Sequence, residues 1–170
     1  LASCNFNQMY HYIKSDPRFM GLGNRRRLVI LKWVQREYSN LILAHTKIPA
    51  PKPIAFHNNV IVMESIGGNS PASQLKDEHP KNPEEFADKI LQYIKMMVED
   101  LSLVHGDLSE FNILNHNNEP YFIDFSQATN IRDPEFMGYL RRDLGNIARF
   151  FLKLKVKIDT EKAISSIQFK

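Results

Sequence analysis

The spacing of apolar residues changes along the chain from helical to extended and back, and the changes mark its elements. From Arg25 to His45 the residues Leu28, Ile30, Leu31, Val34, Tyr38, Leu41 and Ile42 recur at spacings of three and four, which predicts an amphipathic helix with Glu37 inside it. Upstream, Phe6 to Lys14 predicts a short helix ended by Asp16-Pro17, because a proline disfavours a helical residue before it. Gly21-Leu22-Gly23 then reads as a flexible connector. After the proline-rich Ile48 to Pro53, the runs Ile54–Phe56 and Val60–Met63 flank His57-Asn58-Asn59 as the strands of a hairpin.

Gly67-Gly68-Asn69-Ser70-Pro71 interrupts the pattern, and helical spacing returns from Pro83 to Asp100 through Phe86, Ile90, Ile94 and Met97. Pro83 and the two glutamates after it suit a helix start. His105 to Asn112 is a polar loop. A second hairpin follows, with Ile113-Leu114 and Tyr121-Phe122-Ile123 separated by a turn-rich stretch from Asn115 to Pro120. Pro134 to Leu154 predicts another amphipathic helix, with Leu140, Leu144, Ile147, Phe150 and Phe151 on one side, and Asp159 to Ile167 a short closing helix. The fold class expected is α+β.

Composition narrows the picture without deciding it. The 170 residues, 43% hydrophobic and 24% charged, suffice for one compact core. A net charge of +3 leaves attraction to nucleic acid open but does not demand it. The one cysteine, Cys4, has no partner for an intrachain disulfide. With no signal-type segment and no long apolar run, the expectation is a soluble, cytoplasmic protein with no membrane contact. The opening Leu1-Ala2-Ser3, without an initiating methionine, is read as the start of a fragment or of a processed chain.

The chemistry lies between His105 and Asp124. Val104-His105-Gly106-Asp107-Leu108-Ser109-Glu110-Phe111-Asn112 is followed, twelve residues after Asn112, by Asp124 in Tyr121-Phe122-Ile123-Asp124-Phe125. Phosphoryl transfer needs little covalent help from a protein. It needs positioned oxygens and metal charge: one carboxylate facing the attacking hydroxyl or water, and an amide oxygen with a second carboxylate holding magnesium against the phosphates. Asp107, Asn112 and Asp124 have those types, and the hairpin between them would bring Asp124 back beside the loop. Any one of these acids alone is better read as a cap or a strand end. The combination is what points to a phosphotransferase.

Leu108 to Asn112 after His105-Gly106-Asp107, with Ile123-Asp124-Phe125-Ser126-Gln127-Ala128 downstream, resembles the RIO family of atypical serine/threonine protein kinases, and its first subfamily in particular. Cys4-Asn5-Phe6 and Tyr12 to Phe19 resemble the segment after that family's lysine-bearing strand. Gln35-Arg36-Glu37-Tyr38 is similar to its glutamate-bearing helix, and Leu140 to Ile147 to the helix after its metal site.

The resemblance implies a two-lobed protein-kinase-like fold, with residues 1–66 as the remainder of the N-lobe and the hinge, and 67–170 as the C-lobe. It implies ATP with Mg2+, or Mn2+, as cofactors, Asp107 as the catalytic aspartate, and Asn112 and Asp124 as metal ligands. Glu37 would pair with a nucleotide-binding lysine, Met63 would border the adenine, and the main chain of Glu64 and Ile66 would supply hinge hydrogen bonds. The partners it implies are the pre-ribosomal small subunit or ribosomal protein and RNA, with kinase or ATPase turnover, and the short chain without charged tails fits an archaeal member.

The departures from ordinary protein kinases are specific. Gly106 stands where arginine usually meets a phosphorylated activation loop, Asp124-Phe125-Ser126 replaces Asp-Phe-Gly, and about ten residues separate Asp124 from the next predicted helix. No Gly-rich loop or strand lysine precedes Phe6, so the N-lobe is expected to be incomplete at its N-terminus. Two other readings compete. A small-molecule phosphotransferase of the aminoglycoside or choline kinase kind also favours His-Gly-Asp, and a catalytically impaired kinase-fold module could bind ribosomal RNA through Arg25-Arg26-Arg27.

Overall fold

The computed structural model describes residues 26–169. The expected helix over Phe6–Lys14 and the Gly21–Gly23 connector lie outside them. Helix α1 spans Arg26–His45 and β1 (Pro53–His57) pairs antiparallel with β2 (Val60–Met63). Asn58 turns that hairpin at a φ of 52°, a left-handed conformation that asparagine tolerates. Phe56 packs on Tyr38 of α1 with ring centroids 4.8 Å apart, which seats the hairpin on the helix.

The buried face of α1 differs from the one its apolar spacing predicts. Of the expected stripe Val34 and Leu41 are buried but Leu28 and Ile42 are exposed, and the face turned inward also carries Val29, Trp33, Arg36, Asn40 and Ala44. These residues also follow spacings of three and four, but two of them are polar. Arg36 and Asn40 are fully buried because their side chains donate to backbone carbonyls of the segment after Asp124.

Helix α2 (Pro83–Leu101) begins where the sequence predicts, with Pro83 in the first turn and Asn82 capping the N–H of Glu85. It buries Phe86, Ile90, Ile94 and Met97, and ends at Ser102 in the left-handed region. Helix α3 (Phe136–Lys153) buries Leu140, Leu144, Ile147, Phe150 and Phe151, as its pattern predicts, and a short α4 spans Thr160–Ser165. Both stripes enter one core. Burial of each large aliphatic or phenyl side chain favours folding by about 1.5–3 kcal/mol.

Short strands connect that core to the polar loop. Strand β5 (Ile113–His116) pairs with β6 (Glu119–Phe122) through a turn tighter than the sequence suggests: only Asn117 and Asn118 are in it, both at positive φ. A two-residue β3 (Ser73–Gln74) adds to the other edge of β5, and β4 (Leu103–Val104) pairs with β7 (Thr129–Asn130). Neither β3 nor the β4–β7 pair has a pattern of its own, since two residues are too few for a period to appear. The β4–β7 pair ties the two ends of the segment His105–Ala128, so the polar loop, the hairpin and the Asp124 turn form one closed unit.

Candidate active site

The polar loop leaves β4 and immediately buries His105. Its Nε2 donates to the Ile123 carbonyl at 3.1 Å, and its ring leans on Phe125 at 5.0 Å. The residue before Asp124 and the residue after it are thus both held to the start of the loop. Burial drives the imidazole down to about 4, so it is neutral and its role is structural.

Asp107 follows at the surface of this unit. Asn112 donates its side-chain N–H to the Asp107 carbonyl at 2.8 Å, which closes the loop, and the N–H of Ile123 donates to the Asn112 carbonyl at 3.0 Å. Asp124 takes a φ of 62° and a ψ of 72° at the mouth of a single 3-10 turn (Phe125–Gln127), with its Oδ1 accepting from the N–H of Ser126 at 3.3 Å. The hairpin brings Asp107, Asn112 and Asp124 together as the sequence predicts.

Glu37 on α1 joins them. Burial, then the negative charge of Asp124, raises its carboxyl to about 7. Asp107 is also raised, by burial first and with Asp124 adding repulsion, while Arg142 opposes the shift. Among the described residues no ion pair reaches Glu37.

The residues expected at the hinge stand apart, with no hydrogen bond or ion pair joining them to the carboxylates among the described residues. Met63 packs against the core at the end of β2. The N–H of Glu64 goes to the Lys52 carbonyl at 2.9 Å and the carbonyl of Ile66 accepts from Ala72 at 2.7 Å. The groups outside these bonds are the Glu64 carbonyl and the Ile66 N–H, one acceptor and one donor, the complement of an adenine edge.

The donor set suits a hard cation. Asn112 has its amide nitrogen committed to Asp107, which fixes the oxygen as its remaining group, and Asp124 supplies a carboxylate. Burial raises Glu37 and Asp107 first, and the repulsion from Asp124 that adds to it is what a divalent charge beside Asp124 would relieve. Among the described residues no group of three His, Cys, Asp or Glu side chains could hold a metal by itself. Asn112 and Asp124 would hold an ion together with further oxygens, such as those of water or nucleotide phosphates.

Several residues that hold this arrangement escape a reading by composition and spacing. Asp143 of α3 is 1% exposed, and its two oxygens accept the N–H groups of Gly106 at 2.8 Å and Leu108 at 2.9 Å, one on each side of Asp107. Burial pushes its carboxyl up to about 7, against the pull of those two donors and of Arg142. Arg142 donates to the Gly106 carbonyl and Asn146 to the Leu108 carbonyl at 3.1 Å. From the other side, the Ala128 carbonyl accepts from Arg36 at 3.0 Å and Asn40 at 2.7 Å, and the Phe125 carbonyl from Asn40 at 3.2 Å. The signal that could have found Asp143, Arg36 and Asn40 is a polar residue at a position where an apolar stripe should continue. A groove of about 650 Å³ bounded by Leu91, Lys95, Leu144 and Ile158 shares no residue with this site.

A helix carrying a half-buried glutamate beside a β hairpin, and a loop-and-hairpin unit bearing Asp107, Asn112 and Asp124 on a helical base, define a protein-kinase-like fold. Solved structures agree on that fold: the Rio2 kinase of Chaetomium thermophilum in its ADP/Mg2+-phosphoaspartate complex superposes with a TM-score of 0.71 over 86% of this chain and 48% of that one, at 22% identity. The RIO domain model matches residues 1–164, and the chain belongs to the RIO family.

Among curated relatives it is 41% identical over 157 residues to the RIO-type serine/threonine-protein kinase Rio1 of Methanocaldococcus jannaschii, covering 92% of this chain and 54% of the relative. It is 37% identical over 164 residues to the protein of the same name from Thermoplasma acidophilum, covering 95% and 86%. The human serine/threonine-protein kinase RIO1 is 35% identical over 166 residues, 94% of this chain and 29% of the relative. This membership sets aside the aminoglycoside or choline kinase reading. No helix among the described residues is long and apolar enough to cross a membrane.

Proposed function

We propose that the protein is an ATP- and Mg2+-dependent phosphotransferase of the RIO type, a serine/threonine protein kinase or ATPase, acting in maturation of the small ribosomal subunit. The observation that carries the chemistry is the convergence of Asp107, Asn112 and Asp124 on one closed unit. The names of the relatives support the kinase activity, and the ADP and Mg2+ of the solved Rio2 complex support the cofactors. The ribosomal partner rests on the family resemblance alone, as does the division into an N-lobe part over 1–66 and a C-lobe over 67–170.

In this reading Asp107 accepts the proton of the attacking hydroxyl or water and orients its oxygen toward the γ-phosphorus. The bond to the β–γ bridging oxygen breaks as the new P–O bond forms, and ADP leaves with the bridging oxygen. Asn112 and Asp124 would hold Mg2+, which when bound supplies positive charge to the phosphate oxygens. Met63 would border the adenine, with the Glu64 carbonyl and the Ile66 N–H as its acceptor and donor. Glu37 would receive the nucleotide-binding lysine, whose ammonium would hold it ionised.

The test is calorimetric binding of ATP to the full-length protein with and without Mg2+, together with phosphate release and phosphorylation of added ribosomal protein. Metal-dependent binding with turnover is the expected result. Binding of RNA without any binding of ATP would replace this reading with the scaffold one.

A further inference from the structure

Gln127 is absorbed by no role so far, yet it touches the residue at the centre of the chemistry. Its side-chain amide donates from Nε2 to Oδ2 of Asp107 at 2.9 Å. Among the described residues nothing bonds Oδ1, so the amide engages one carboxylate oxygen and leaves the other for a reacting group. A carboxylate on a free rotamer would share its time between orientations, and only one of them can face an incoming hydroxyl.

The backbone of Gln127 is itself gripped on two sides. Its carbonyl lies so close to Gly106 that a Cβ there would stand 2.8 Å away, and Gly106 is the residue before Asp107. The next carbonyl, that of Ala128, accepts from Arg36 and Asn40 of α1. A continuous path of backbone contact and hydrogen bonds therefore runs from the helix that carries Glu37, through Ala128 and Gln127, to the carboxylate of Asp107.

We propose that Gln127 is a positioning residue that sets the orientation of the Asp107 carboxylate and ties it to the placement of α1. The assignment rests on the reading of Asp107 as the group that faces the phosphoryl acceptor. It differs from the role of Asp143, which holds the backbone around Asp107 and does not touch its side chain. An amide suits the task because it donates without carrying charge, so it orients the carboxylate without cancelling its negative charge.

The test uses the full-length protein and two variants. Gln127→Met keeps the length of the side chain and removes the donor, and Gln127→Ala removes both and covers a failure of the first to fold. Two readouts are taken: the 13C shift of the Asp107 carboxyl carbon, assigned by its loss in Asp107→Asn, and steady-state ATP turnover. The expected result is a displaced carboxyl resonance, with kcat reduced roughly 10- to 100-fold and KM for ATP and melting temperature close to wild type.

An unmoved resonance overturns the proposal whatever the kinetics do. So does a joint fall of kcat, ATP affinity and melting temperature in both variants, which would make Gln127 a structural residue. A displaced resonance in a protein with no turnover even as wild type would uphold the positioning role and sink the proposed function instead.

Discussion

A Cβ on Gly106 would stand 2.8 Å from the carbonyl oxygen of Gln127, and Gly106 itself has a φ of +80°. Two separate constraints thus fall on the residue before Asp107: a left-handed backbone and no room for a side chain. Gly106→Ala is expected to destabilise the fold by roughly 2–4 kcal/mol, part from the left-handed backbone and part from the displaced strand of contacts around Gln127. Urea denaturation measures it, and a change below the error of the method would mean that the loop relaxes freely. The same constraint explains why the arginine of ordinary protein kinases cannot stand here without moving Gln127.

Asp143 should matter more for stability than its distance from the chemistry suggests. Asp143→Ala leaves the buried N–H groups of Gly106 and Leu108 without their acceptor, each at a cost of about 1–3 kcal/mol. Destabilisation of about 3 kcal/mol or more is expected, with loss of turnover because Asp107 lies between the two donors. If denaturation and turnover are both untouched, the anchor role is wrong.

Asp107 and Asp124 are expected to separate by function. Asp124→Asn should weaken Mg2+-dependent ATP binding at least ~10-fold, since it removes the charge that would hold the ion in the proposed reading. Asp107→Asn should leave binding within about twofold and reduce turnover ~100-fold or more. Calorimetry and phosphate release distinguish them, and equal retention of turnover in both variants would remove the catalytic assignment.

How much of this was legible in the sequence depended on whether a period or a motif carried it. The apolar stripes of α2 and α3 matched the buried residues because their large side chains are apolar, with Asp143 the one polar residue buried within that of α3. The stripe of α1 was right at Val34 and Leu41 but misplaced at Leu28 and Ile42, because Arg36 and Asn40 occupy core positions and no hydropathy pattern scores a buried side chain that donates to distant carbonyls. Asp107, Asn112 and Asp124 stood out as a motif, whereas Asp143 lay within a recognised stretch but had no role until its two acceptor bonds were seen. Strands β3, β4 and β7 were silent for a simpler reason: two residues have no alternation to read, and their pairing is set by the elements around them.

The buried histidine gives the site unit a pH signature. His105 is 2% exposed, and burial lowers it from 6.5 to about 4, because the charged ring would lose its hydration. The folded state therefore refuses a proton that the unfolded chain accepts below about 6.5. Its contribution to stability is complete above that pH and is lost as the pH falls toward 4, by about 2 kcal/mol at pH 5. Glu37 and Asp143 act in the opposite sense. Both are raised to about 7 in the fold, so their contribution is present at low pH and declines as the pH rises from their unfolded values through 7. The net slope for the whole protein mixes these signs, and the difference between wild type and His105→Gln isolates one of them. That variant keeps a side-chain N–H for the Ile123 carbonyl and cannot titrate. Urea denaturation at pH 7.5 and pH 5 should show wild type losing about 2 kcal/mol more than the variant over that interval. Parallel losses would mean that His105 takes up its proton in the folded state as readily as in water, and that its place beneath Phe125 is not closed to solvent.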